Sequence, residues 1–230
     1  MSRLANFFTP GEFYHLYNRG TEKRVIFLDN ADETRFLSLL YLCNNRSSIH
    51  RSDFKDALLS DLLNIPREEL LVDIGAYCLM PNHFHLLAHE LVEDGISIFM
   101  QKLSTAYTMY FNKRHDRSGS LFQGRFKAEH LDTDNYLKYI FAYIHLNPIG
   151  IIDNNWKNHK IRDITKTIKY LNAYPFSSYL DYANKNPRNP EGKILNKSSF
   201  PEYFLTPKDF KEHLQDWLNL ADKTSVKVQP

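Results

Sequence analysis

The stretch Pro81-Asn82-His83-Phe84-His85-Leu86-Leu87 decides how the chain is read. It follows Ile74-Gly75-Ala76-Tyr77-Cys78-Leu79-Met80, an apolar run of strand length. In an extended segment successive side chains point to opposite faces, so His83 and His85 share one face. Phe84 then enters a core on the other face and fixes the register. Two imidazoles two residues apart on one strand face make half of a metal site. With ten histidines in the chain, that pattern alone carries little weight, and the other half has to come from elsewhere.

About sixty residues on, Asp132-Thr133-Asp134-Asn135-Tyr136-Leu137-Lys138-Tyr139-Ile140-Phe141-Ala142-Tyr143-Ile144-His145-Leu146-Asn147-Pro148 reads as one helix. Asp132 or Thr133 can N-cap it and Pro148 ends it. Leu137, Ile140, Phe141 and Ile144 form its buried stripe. Tyr143 and Asn147 are four apart and share a face. The Asn147 amide oxygen could complete a His83, His85, Asn147 set for a hard divalent cation, with the Tyr143 phenol one turn away. Tyr136 is expected on the same broad face and Tyr139 turned away from it.

These residues carry a resemblance. Met80-Pro81-Asn82-His83-Phe84-His85 together with Tyr143-Ile144-His145-Leu146-Asn147-Pro148 resembles the single-tyrosine HUH (His-hydrophobic-His) transposases, and within them the REP-associated tyrosine transposases. Leu121-Phe122-Gln123-Gly124-Arg125-Phe126-Lys127, Tyr14-His15-Leu16-Tyr17-Asn18-Arg19-Gly20 and Pro175-Phe176-Ser177-Ser178-Tyr179 match further family segments in the same order. Five ordered matches, spanning roughly Phe13 to Tyr182, are far more specific than any one.

The resemblance implies a transposase that cleaves and joins single-stranded DNA. Tyr143 is the implied nucleophile, giving a 5′-phosphotyrosine and a free 3′-hydroxyl. The implied metal ligands are His83, His85 and Asn147, and the cofactor is Mg2+ or Mn2+. The implied partner is single-stranded DNA with a palindromic hairpin, and a homodimer is possible. Arg19, Gln123, Arg125 and Lys127 are the expected DNA contacts, although Arg125 serves equally well as a turn residue held by a salt bridge. His15 is placed near the histidine pair but reads first as a structural hydrogen-bonder. No general base is legible; His145 lies two residues from Tyr143 and should point elsewhere, and Lys138 is merely near. Three other readings share parts of this pattern: a replication initiator or relaxase, a domesticated hairpin-binding protein without cleavage, and a hydrolase using water.

Composition sets the bounds. The chain has 230 residues, 43% hydrophobic and 14% aromatic, with a net charge of only +2, so bulk charge says little about nucleic acid. Between Gln101 and His130, Lys102, Lys113, Arg114, Arg117, Arg125 and Lys127 outnumber Asp116 and Glu129 to give a net of +4. This is either a phosphate track or a solvated helix end. Cys43 and Cys78 sit in apolar elements and frame no disulfide set. With no signal-like or membrane-length apolar run, a cytoplasmic, nucleoid-associated protein is expected.

The elements run strand, helix, strand, strand, helix, strand, helix. This is the order of a ferredoxin-like α+β fold, an antiparallel four-stranded sheet with helices on one face. Residues 1–150 are read as the nuclease domain, with a helical insertion near 47–69, and 151–230 as a mostly helical C-terminal extension. Asn30 and Glu33 suggest a capping box for the first helix.

Overall fold

The computed structural model describes residues 8–54, 56–158, 161–203 and 206–219. Of the segments that the sequence marks as ends, a loose lead-in over residues 1–10 and a frayed tail over 221–230, residues 1–7 and the whole tail lie outside the described residues. The chain forms β1 (Phe13–Arg19), α1 (Asn30–Leu42), α2 (Leu59–Leu62), β2 (Val72–Met80), β3 (His83–Glu90), α3 (Gly95–Arg114), β4 (Lys127–His130) and α4 (Asp134–Leu146). It continues with α5 (Ile149–Ile152), α6 (Ile164–Ala173), α7 (Tyr179–Ala183) and α8 (Pro207–Asn219). The strands lie in the order β2-β3-β1-β4, with every neighbouring pair antiparallel. This is the ferredoxin-like order expected from the sequence. Among the described residues no helix is long and apolar enough to cross a membrane.

Alternation along the strands sorts the side chains. Tyr14 and Leu16 of β1, Tyr77 and Leu79 of β2, and Phe84, Leu86 and Ala88 of β3 face α1 and α3. There they pack with Phe36, Leu40, Phe99, Leu103 and Tyr107. On the opposite face Ala76, Cys78, Met80 and Leu87 pack against Leu137, Ile140, Phe141 and Ile144 of α4. Pro81 and Asn82 turn β2 into β3, with Met80 opposite His83. The Pro81 carbonyl accepts from Ile26 and Phe27, and the Asn82 carbonyl from Gly20, so the loop after β1 clamps this turn. Both cysteines are buried and unbridged, and burial pushes the Cys43 thiol up to about 12.

Local chemistry sets the helix ends. Thr133 caps α4 by accepting from the Tyr136 amide, and Asn147 closes its C-terminus in helical conformation. At α1 the expected Asn30 capping box is replaced by Asp29, whose carboxylate accepts from the amides of Ala31 and Asp32. An ionised carboxylate is the stronger acceptor and also suits the positive end of the helix. The insertion holds less helix than its apolar spacing suggests. It has a 3-10 turn at Arg51–Phe54 and the single turn of α2.

The C-terminal extension is tied to the sheet. The outer edge of β2 receives the Leu79 amide bond to the Phe176 carbonyl, the Ser178 amide bond to Tyr77, and the Asn196 amide bond to Ile74. These bonds cover strand groups that would otherwise be open to pairing. At Gly75 the β2–β3 register shifts, and an added Cβ would stand 2.6 Å from the Phe200 ring. Phe210, Leu214, Trp217 and Leu218 of α8 are buried in the α4-side core, as their spacing predicts.

Phe84 is fully buried, so Phe84→Ala should cost about 3–5 kcal/mol. The expected result is a lower urea midpoint at unchanged slope. An unmoved midpoint would contradict the core assignment.

Candidate active site

The α4-side face of the sheet is apolar beneath the middle of α4 and polar toward Asn147. His83 and His85 emerge there, with ring centroids 5.0 Å apart and planes at 87°. The Tyr143 ring meets His85 edge-on at 5.3 Å. The Asn147 amide lies within reach of both the His83 imidazole and the Tyr143 phenol and favours the charged form of each. The four residues singled out from two distant segments therefore share one locus.

Hydrogen bonding fixes which imidazole nitrogens are free. His83 Nδ1 is 2.6 Å from Asn82 Oδ1, an acceptor, so Nδ1 carries the proton and Nε2 keeps its lone pair. His85 Nδ1 is 2.9 Å from His15 Nε2. His15 Nδ1 faces Glu129 Oε2 at 3.6 Å. The two Glu129 oxygens accept from the Tyr17 and Tyr136 phenols at 2.9 and 2.8 Å; against burial, which favours the neutral acid, His15 first and then the two phenols hold its carboxyl below the usual range. His15 Nδ1 makes no hydrogen bond, but the carboxylate facing it favours the tautomer with N–H at Nδ1 and a lone pair at Nε2. His85 must then donate from Nδ1, which leaves its buried Nε2 as a bare lone pair without a partner. Burial lowers the proton affinity of His83 to about 4 and of His85 well below the ordinary value. Both rings are neutral at pH 7, as a ligand must be.

These atoms suit a divalent cation: two unprotonated Nε2 atoms and an amide oxygen from Asn147. Among the described residues no group of three His, Cys, Asp or Glu side chains has metal-holding spacing, so the amide is needed for a three-ligand set.

Around Tyr143 the structure departs from expectation in two ways. Tyr139 is not turned away: its ring stacks on Tyr143 at 6.3 Å and 11°, as residues one helical turn apart should. The larger difference is Lys157, which the sequence did not single out. Its Nζ lies 2.7 Å from Tyr143 Oη and 4.4 Å from the ring centroid. Trp156 stacks on the same ring at 6.4 Å and 26°. Under this cover Tyr143 is 1% exposed, and burial raises its phenol above the ordinary tyrosine value. Even an unperturbed phenol near pKa 10 carries a deficit of about 4 kcal/mol toward phenolate at pH 7.

Arg19, Gln123, Arg125 and Lys127 line one small cleft with Tyr17 and Asn18. Arg19 donates to Gln123 Oε1 through Nε and Nη2 at 3.3 and 3.1 Å. Arg19 pairs with His83 and Lys127 with Tyr17 in the sheet register, so the cleft borders the histidines. The +4 segment is not one track. Lys102 donates to the carbonyls of Asn45 and Arg46, Arg114 binds Asp29 and Asp32, and Arg117 binds Asn112. His145 points away as expected, held between the Phe141 carbonyl and Ser178 Oγ, and Lys138 pairs with Asp134. His15, Tyr17 and Glu129 are the site residues that sequence reading undervalued. Their signal was register, since His15 stands beside Glu129 and Tyr17 beside His85.

A model of the family described as transposase IS200 like matches residues 37–147. No curated protein matches the chain. A solved structure of a REP-associated tyrosine transposase bound to a REP hairpin matches with a TM-score of 0.53 and 13% identity, covering 100% of this chain and 98% of that one. The resemblance read from the motifs is matched in sequence over residues 37–147 and in fold over the chain.

His83, His85 and His145, held to about 4, well below normal and about 3, bind protons later than they do unfolded. From pH 6.5 downward the unfolded chain binds more protons, so stability falls on acidification, by up to about 1.4 kcal/mol per pH unit per histidine. His15 and His213 are lowered as well, whereas Glu33, raised to about 7 by burial, and Glu90, also raised by burial, act in the opposite direction. The urea midpoint should drop between pH 7 and 4.5; a flat or rising midpoint would contradict neutral buried imidazoles.

Proposed function

We propose that this chain, similar to the IS200-like transposases over residues 37–147, cleaves and rejoins single-stranded DNA at the Tyr143 site. The observation that carries the reading is the convergence of Tyr143 and Asn147 with two neutral imidazoles, one of which, His85, has an unpartnered Nε2. In this reading Tyr143 Oη attacks phosphorus, the Oη–P bond forms and the P–O3′ bond breaks. The products are a 5′-phosphotyrosine and a 3′-hydroxyl, and reversal with another 3′-hydroxyl joins strands. A bound Mg2+ or Mn2+, held by His83, His85 and Asn147, supplies Lewis-acid stabilisation of the phosphate. His15 and Glu129 keep the His85 ring in the ligating tautomer, as a carboxylate behind a ligand histidine does. Arg19, Gln123, Arg125 and Lys127 border the site and suit a strand held by its phosphates. By analogy with the hairpin-bound relative, a DNA hairpin is the proposed partner.

One observation favours the alternative of a hairpin-binding protein without cleavage: Tyr143 is 1% exposed. Cleavage requires part of the cover over Tyr143 to open as DNA enters.

Labelled single-stranded hairpin oligonucleotides from the flanks of the gene, mixed with the protein and Mn2+, separate the two on a denaturing gel. A covalent protein–DNA band lost in Tyr143→Phe and His83→Ala is expected. Retardation on a native gel without a covalent band would favour binding alone, and cleavage without an adduct would make water the nucleophile. His15→Ala and Glu129→Gln should weaken Mn2+ binding about 10–100-fold, measured by electron paramagnetic resonance without DNA. Unchanged affinity would remove them from the site.

A further inference from the structure

The reading above leaves the phenol proton without a destination. Tyr143 is buried at 1% exposure, and burial disfavours its phenolate. One side chain does reach it. Lys157 Nζ is 2.7 Å from Tyr143 Oη, a hydrogen-bond length, and sits against the face of the same ring.

Lys157 is held there by packing rather than by a helix face. The turn after α5 is closed by the Trp156 amide donating to the Asp153 carbonyl. Trp156, 2% exposed, is wedged between Tyr143 and Trp217 of α8 at 6.4 and 6.1 Å. Anchoring residue 156 in this way aims residue 157 at the phenol. Among the described residues no carboxylate forms an ion pair with Lys157; its amine meets the Tyr143 phenol and the rings of Tyr143 and Trp156.

Resting on the proposed reaction, we propose that Lys157 is a second catalytic residue, the proton partner of Tyr143. As Oη attacks phosphorus, the phenol proton passes along the hydrogen bond to the neutral amine. The Oη–P bond forms, the P–O3′ bond breaks, and the departing 3′-oxygen takes a proton from water. On rejoining, the incoming 3′-hydroxyl loses its proton to water, and the ammonium returns its proton to the leaving phenol oxygen. The same pair thus serves both directions, as an exchange without net hydrolysis requires. Burial supports the role: it lowers the Lys157 amine to about 8, which leaves a usable neutral fraction at pH 7. The groups around the pair are Tyr139, His83, His85, His15, Asn147 and Glu129; Lys157 itself disfavours charge on the three histidines.

The test measures the rate of covalent adduct formation in the full-length protein with Mn2+. The probe is the flank-derived hairpin oligonucleotide, and binding is followed separately on native gels. Lys157→Ala should form adduct about 100-fold or more slowly, while hairpin binding changes by less than threefold. Because Lys157 is only half-buried, added ethylamine should enter the vacated space and restore part of the rate, in proportion to its neutral fraction as the pH is raised; a residue that supplies only positive charge would be replaced by the ammonium form without that dependence. Lys157→Arg, which keeps the charge and cannot accept the proton, should stay slow. Adduct formation at the wild-type rate in Lys157→Ala, or a slow Lys157→Ala that ethylamine leaves unchanged, would overturn the proposal. So would full activity in Lys157→Arg. Wild-type protein that forms no adduct would instead sink the underlying reaction and this proposal with it. A Tyr143-dependent adduct indifferent to Lys157 sinks only the proton role.

Discussion

The two-residue alternation of β3 is the constraint on which the rest depends. Phe84 must be on one side of the sheet if His83 and His85 are to be on the other. The apolar side is closed by α1 and α3, with Phe84 touching Phe36 and Phe122. A slip of one residue would expose Phe84 and drive two imidazoles into that core. The energy that fixes the site is therefore hydrophobic and lies behind it. The clamp of the Pro81–Asn82 turn by the loop after β1 adds a polar lock on the same register.

On the polar side, Glu129 organises a sequence of proton positions. Two phenols and His15 approach its carboxylate, His15 passes the orientation on, and His85 ends with a free lone pair. β1 lies between β3 and β4, so the order of strands is what allows a carboxylate on β4 to govern a ring on β3. The neutrality of the buried imidazoles follows from desolvation.

Much of this was legible in sequence. The His83-Phe84-His85 alternation and the 3.6-residue stripe of α4 gave the strand, the helix and their shared face. What escaped depended on longer-range geometry. His15 and Glu129 become neighbours only once β1–β4 register is known. Tyr139 was misplaced although it is four residues from Tyr143, because the face was counted from Tyr136. The basic run broke up because Arg114 and Lys102 have local acceptors that spacing does not reveal. We propose that the division at residue 150 marks the end of the nuclease fold along the chain; the extension beyond it is bonded to β2 and packed on α4.

The turn that carries Trp156 and Lys157 lies beyond Asn147, where the match to the transposase family ends. The histidines, the tyrosine and the asparagine belong to the shared segment, whereas the amine beside the phenol belongs to the part wedged against α8. Inheritance of the site is thus divided. A relative that kept the shared segment and exchanged its C-terminal portion would retain the proposed ligands and nucleophile but surround the phenol with different chemistry. Such relatives would be alike in what they can bind and unlike in how fast they turn over, and alignment of the shared segment alone would not show it.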